Sequence, residues 1–165
     1  MVKSSDKMVT EQDKAFMRQA IRLATESVEN GGGPFGAVIV KDGEVVAACS
    51  NRVTLDCDPT AHAEVSAIRQ ACRRLGTFDL SGCVVYTSCE PCPMCLGALY
   101  WAHLDRIYYA NTREDAGRIG FDDDFIDKEL EKPLEDRATP IIPLLRDEAL
   151  QTFVAWEQKE DKTEY

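Results

Sequence analysis

Two short motifs, thirty positions apart from His62 to Cys92, constrain this chain more than anything else in it. The first is Thr60-Ala61-His62-Ala63-Glu64 and the second is Ser88-Cys89-Glu90-Pro91-Cys92-Pro93-Met94-Cys95. They offer one imidazole and two thiols for a metal, with a carboxylate two residues past the imidazole. Three protein ligands on a tetrahedral zinc leave one position open, which a catalytic site requires and a structural site does not.

The sequence around the motifs sets the elements that must present them. Apolar residues recur at helical spacing from Glu11 to about Asn30 (Phe16, Met17, Ala20, Ile21, Ala24, Val28), with Thr10 or Glu11 where a cap belongs and Gly31-Gly32-Gly33-Pro34 as the stop. Phe35 to Val40 and Glu44 to Ser50 are strand-like runs joined through Asp42-Gly43, a strong hairpin signal. A helix is expected from His62 to Leu75 with Gly76 as its C-cap, then a strand over Cys83 to Thr87. A third helix is expected with Pro91 at its first position and its end near Ala102. Arg106 to Ala110 reads as a strand parallel to the one before that helix, because a crossover helix separates them. Short helices follow in the charged stretch 111–133, a last strand over Ile141 to Leu145, and a closing helix over Asp147 to Glu157 with Ala149, Leu150, Phe153 and Trp156 in its apolar pattern. The sum is an α/β protein, a three-layer α/β/α sandwich on a mixed five-stranded sheet. Residues 1–10 are expected to be a disordered lead-in, and 11–165 a single domain.

Both motifs thus fall at helix N-termini, where unpaired N–H groups and the partial positive charge of the helix stabilise thiolates. The i, i+3 spacing of Cys92 and Cys95 places both sulfurs on one side of a turn. Two thiolates and a neutral imidazole bring the zinc close to neutrality, yet it still lowers the pKa of a bound water. Glu64 then stands beside the metal as a proton carrier rather than a ligand. Other readings exist. A lone C-x-x-C is more often structural or redox. Cys89 extends the pattern to C-x-x-C-x-x-C, and as a fourth ligand it would close the site and abolish catalysis. Glu64 could serve only as a helix-start carboxylate, although a capping box from Thr60 would need the acid at position 63, which is Ala63. The combined H-x-E and P-C-x-x-C pattern is that of zinc deaminases acting on a nucleobase.

Length and charge narrow the substrate. A chain of 165 residues fits one domain whose core needs no metal or disulfide support, which leaves the zinc to chemistry. The net charge of −10 disfavours a nucleic-acid polymer as partner. Lys14, Arg18 and Arg22 share one helical face, as do Arg69 and Arg73, and are read as solvated surface. His103 is read as a surface residue at a helix end. Seven cysteines, an N-terminus without an apolar signal core and no membrane-length apolar run point to a reduced, cytoplasmic protein with free thiols and no membrane partner.

Over roughly residues 11 to 165 the chain resembles the cytidine-deaminase-like zinc hydrolases and, within them, the bacterial-type guanine deaminases. The resemblance rests on Gly33-Pro34-Phe35-Gly36-Ala37-Val38-Ile39-Val40, on Asp58-Pro59-Thr60-Ala61-His62-Ala63-Glu64 and on Tyr86-Thr87-Ser88-Cys89-Glu90-Pro91-Cys92-Pro93-Met94-Cys95. Related deaminases of transfer-RNA adenosine and of cytosine share these segments. Gly120-Phe121-Asp122-Asp123-Asp124-Phe125-Ile126 and the ending Lys162-Thr163-Glu164-Tyr165 favour guanine. The resemblance implies Zn2+ on His62, Cys92 and Cys95, Glu64 as proton carrier, and Asp123 as a second carboxylate. It also implies Asn51 and Phe35 against a purine base, backbone N–H groups near Ala63 at its edge, and Tyr165 closing the pocket. A homodimer with swapped C-terminal segments (about 111–165) goes with it. Read locally, the alternatives are a helix-start acidic cluster for Asp122–Asp124, a core residue for Phe35 and a strand-end turn residue for Asn51. The alternatives in function are deamination of guanosine, cytosine, a triazine or transfer-RNA adenosine, and a non-catalytic zinc-stabilised binding protein.

Overall fold

The computed structural model describes residues 8–165, so most of the expected lead-in, residues 1–7, lies outside the described residues. The chain divides into two compact units, one ending at Asp123 and the other spanning Asp124–Tyr165. The first contains helix α1 (Glu11–Glu29), strands β1 (Gly36–Lys41) and β2 (Glu44–Ser50), the single-turn α2 (Val53–Asp56) and α3 (Ala63–Leu75). Strand β3 (Cys83–Cys89), α4 (Pro93–Trp101), β4 (Arg106–Asn111) and α5 (Arg113–Arg118) complete it. Among the described residues no helix is long and apolar enough to cross a membrane.

The four strands lie in the order β2-β1-β3-β4, antiparallel except for the parallel pair β3–β4. Alternation along the strands gives the sheet two buried faces. Val38, Val40 and Tyr86 pack with Ala20, Phe16 and Met17 of α1 on one side. Ala37, Ile39, Cys83 and Val85 pack with Ala67 and Ala71 of α3 and Leu99 of α4 on the other. That is the expected α/β/α sandwich. The sheet is mixed, as expected, but it has four strands rather than five. Ile141 to Leu145 joins no ladder. Pro140 bounds that run and Pro143 interrupts it, and each lacks the N–H a ladder needs.

Local sequence explains most of the first unit. Thr10 caps α1 through a capping box with Asp13: each accepts the other's backbone N–H, at 3.0 and 2.8 Å. Asp42 and Gly43 turn the β1–β2 hairpin with φ of 51° and 79°, the left-handed pair of a type I′ turn. Gly36 lets α1 press onto the sheet, since a Cβ there would stand 2.3 Å from the Ala20 carbonyl oxygen. Gly76 ends α3 in the left-handed conformation expected of it.

The second unit holds α6 (Asp124–Glu131), a 3-10 turn at Leu134–Asp136 and α7 (Arg146–Gln158). None of its residues is buried. The apolar pattern of the expected closing helix is real, but Phe153, Val154 and Trp156 are exposed.

Candidate zinc centre and active site

Two helix starts meet at one point. His62 is the N-cap of α3 and Cys92 the N-cap of α4, with Cys95 in the first turn of α4. Pro93, not Pro91, occupies the first helical position, because the Cys92 sulfur itself caps the helix by accepting the Cys95 N–H at 3.5 Å. His62 Nδ1 lies 3.5 Å from Sγ of Cys92 and 3.5 Å from Sγ of Cys95. Among the described residues these three form the one group with ligand atoms close enough for a shared metal ion, all within 4.8 Å. With Zn–S near 2.3 Å and Zn–N near 2.0–2.1 Å, a tetrahedral site has an N···S edge of about 3.6 Å. The residues present therefore fit zinc. Binding of a metal there would displace the thiol protons. The Cys92 thiol is brought down to about 4, first by the hydrogen bond with Cys95 and then, against its burial, by that with His62. Cys95 is pushed up by the same bond and by burial.

Cys89 does not complete the set. It ends β3, its sulfur turns toward the Thr112 carbonyl oxygen at 3.5 Å, and burial holds its thiol up at about 11. Among the described residues the ligand cluster has three members, and Cys89 is not one of them.

Glu64 is buried one turn-position past the ligand helix start, with Ala63 fully buried between it and His62. Its Oε1 accepts the Thr87 hydroxyl at 2.9 Å, and its Oε2 lies 3.4 Å from the Cys95 sulfur. Burial raises its carboxyl above the ordinary value. The carboxylate also accepts its own backbone N–H at the helix start, so it is oriented by the helix terminus, by Thr87 and by the ligand cluster together. Ala63 opens α3, where an N–H has no intrahelical acceptor.

A cavity of about 580 Å³ opens over this cluster, within the first unit. Its lining includes Gly31 to Gly33, Phe35, Asn51, His62, Glu64, Cys92, Arg113, Phe121 and Asp123. Asn51 is buried, and its Oδ1 accepts the Val53 N–H at 3.2 Å, which leaves its amide NH2 as the group offered to the cavity. Ser27 holds the loop behind it, donating to the Gly33 carbonyl at 2.7 Å. Phe35 meets Phe121 edge to face, with centroids 5.0 Å apart. Asp123 faces Arg113, whose Nε and Nη2 donate to Oδ1 at 2.9 and 2.5 Å. The Arg113 backbone N–H donates to Glu90 at 3.2 Å. Tyr165 belongs to the second unit and is largely exposed.

Sequence reasoning had no sign of Arg113, Thr87 or Ser27. Arg113 follows Thr112, whose capping box with Asp115 starts α5 and explains its placement, but nothing local links it to Asp123. Thr87 carries one weak signal: on a strand of period two it shares a face with Val85 and Cys83.

An α/β/α sandwich that clusters an imidazole, two thiols and a buried carboxylate at the floor of one cavity, with His62, Cys92 and Glu64 in its lining, is the framework of a zinc-dependent aminohydrolase. Residues 10–111 match the cytidine and deoxycytidylate deaminase zinc-binding region, and the chain belongs to that family. It is 53% identical over 153 residues to the guanine deaminase of Bacillus subtilis (strain 168), covering 92% of this chain and 98% of that one. The X-ray structure of guanine deaminase from Bacillus subtilis matches with a TM-score of 0.90 over 92% of this chain and 98% of that one. Likeness to the tRNA-specific adenosine deaminase of Aquifex aeolicus (strain VF5) is 44% over 104 residues, 63% of this chain and 69% of that protein.

Proposed function

We propose that this chain is a zinc-dependent hydrolase that converts guanine and water to xanthine and ammonia. The observation that carries the reading is the three-ligand cluster with Glu64 beside it at a cavity sized for a small molecule, in a chain alike over 92% of its length to a guanine deaminase. Zinc held by His62, Cys92 and Cys95 supplies an acidified water. Glu64 takes a proton from the attacking water and passes it to the ring nitrogen next to the amino-bearing carbon. Asp123 takes the remaining proton of that water and delivers it to the departing amine, so that ammonia leaves neutral. The Asn51 amide NH2 donates to acceptors on the base edge, Phe35 lies against its ring, and backbone N–H groups near Ala63 complete the edge.

The whole of 11–165 acts as one deaminase domain in this reading, with the C-terminal segment exchanged between two copies of a cytoplasmic homodimer. Tyr165 then closes over the base. The unburied apolar side chains Phe153 and Trp156 support the exchange. The acidic net charge supports a free base over transfer RNA. The reaction belongs to purine breakdown.

Purified protein incubated with guanine, guanosine, cytosine and adenosine-bearing transfer RNA, with ammonia release recorded, tests the substrate. Release from guanine, with guanosine, cytosine and transfer RNA silent, is expected. Release from transfer RNA or cytosine in preference to guanine would overturn it.

A further inference from the structure

Glu64 has two oxygens and the structure treats them differently. Oε2 lies 3.4 Å from the Cys95 sulfur, on the side of the ligand cluster. Oε1 points instead to β3, where the Thr87 hydroxyl donates to it at 2.9 Å. Thr87 is 1% exposed, held in register opposite Ala37 of β1 and beside Tyr109 of β4, so its side chain has no freedom to follow a moving carboxylate. The same hydroxyl lies 3.1 Å from the Cys89 carbonyl oxygen. It has one proton and two acceptors, and a carboxylate is the stronger of them.

Cys95 cannot hold Glu64 once it serves as a ligand, because a metal-bound thiolate has no proton to donate. Thr87 is then the side chain that still donates to the carboxylate. We propose that Thr87 is a positioning residue for Glu64: its hydroxyl ties Oε1 to the sheet, so that Oε2 alone carries the proton between water and base. The proposal rests on the reading of Glu64 as proton carrier. Without the tie, the carboxylate rotates about its terminal torsion, which is broad and soft. Its own backbone N–H then remains as the one donor to the carboxylate, and the tie to the sheet is gone.

Thr87→Val keeps the branched shape and removes the hydroxyl, while Thr87→Ser keeps the hydroxyl and removes a methyl group. Guanine turnover, zinc content and thermal midpoint are measured for both beside the wild type and Glu64→Gln. Thr87→Val is expected to lower kcat about 10–100-fold, with KM and zinc stoichiometry close to wild type. Thr87→Ser is expected to restore kcat to within about threefold, since it returns the bond and loses little packing. Thr87→Ala carries the same expectation as Thr87→Val and replaces it if the valine variant does not fold. Wild-type kcat in the hydroxyl-free variants overturns the proposal. So does a loss of activity that tracks loss of zinc or of the fold, or one that serine fails to restore. A fully active Glu64→Gln would overturn the assignment of Glu64 itself, a failure separate from that of Thr87.

Discussion

The two units of this chain differ in what they bury. The first encloses Ile39, Leu80, Val85 and Leu99 completely between its helices and its sheet. The second, from Asp124, has no buried residue and exposes Phe125, Leu144, Leu145, Phe153 and Trp156. Enclosing one such side chain is worth about 1.5–3 kcal/mol. Isolated helices shorter than about 12–15 residues are marginal in water. The first unit therefore carries its own stabilisation and every metal-ligating residue. The second has no enclosed side chain of its own. An apolar pattern in a sequence reports that a face will be covered, and it is silent about which chain covers it.

The contrast places the largest functional effect in the first unit. Glu64→Gln is expected to lower kcat by about 10²–10⁴ while zinc stays bound, because the variant loses the proton carrier and keeps the ligands. Metal analysis beside ammonia release checks it, and coupled loss of zinc and fold would point instead to a structural site. Removal of zinc by a chelator should abolish turnover with only a modest fall in thermal midpoint. The core that includes Ile39, Val85 and Leu99 is apolar side-chain packing to which no metal ligand belongs.

A cut after Asp123 tests the contrast itself. The remaining chain keeps His62, Cys92, Cys95, Glu64 and Asn51. It is expected to fold and bind about one zinc per chain, to run as a monomer on size exclusion with light scattering, and to lose most guanine turnover with Tyr165. A fragment that fails to fold would show that the first unit is not self-sufficient. Unchanged kinetics would remove the tail from the mechanism.

Much of the first unit was legible because its signals are local. The Asp42-Gly43 turn, the Gly76 cap, the period of α1 and α3 and the zinc ligands each sit within a few residues of their cause. The misreadings came where one local rule met another. Ile141 to Leu145 has strand composition, yet Pro143 breaks its ladder. Pro91 suits a helix start, yet the Cys92 sulfur caps one residue later. The contacts that finish the site were invisible for another reason. Thr87 meets Glu64 across 23 positions and Arg113 meets Asp123 across 10, and no periodicity records a bond between separate elements.

Arg113 gives an intermediate effect. It holds Asp123 through two donors on one oxygen, a geometry that lysine cannot copy. Arg113→Ala is expected to reduce kcat about tenfold. Arg113→Lys should recover part of that. Neither should deepen the defect of Asp123→Asn if Arg113 acts only through that carboxylate, which the double variant measures.

The smallest effects compare one carboxylate from each unit. Asp13 is held below its ordinary value first by the hydrogen bond from the Tyr86 hydroxyl, 2.6 Å away, and then by the Thr10 N–H. In the second unit Glu129 is likewise lowered, first by Lys132 and then by the Ala138 N–H, but its partner Lys132 is exposed and both contacts lie within a unit that has no buried residue. A carboxyl depressed by folding stabilises the protein above its unfolded value, about 3.9 for aspartate, and that support fades as pH falls through the folded value. Asp13→Asn should therefore lower the thermal midpoint at neutral pH by a few degrees at most, with the gap to wild type closing in acid below about pH 4. Glu129→Gln should shift the midpoint less than Asp13→Asn at either pH, since the ion pair with Lys132 is solvent-screened on the lysine side and glutamine still accepts the Ala138 N–H. Equal shifts in the two variants would mean that the second unit is held as firmly as the first, which the burial of its side chains contradicts.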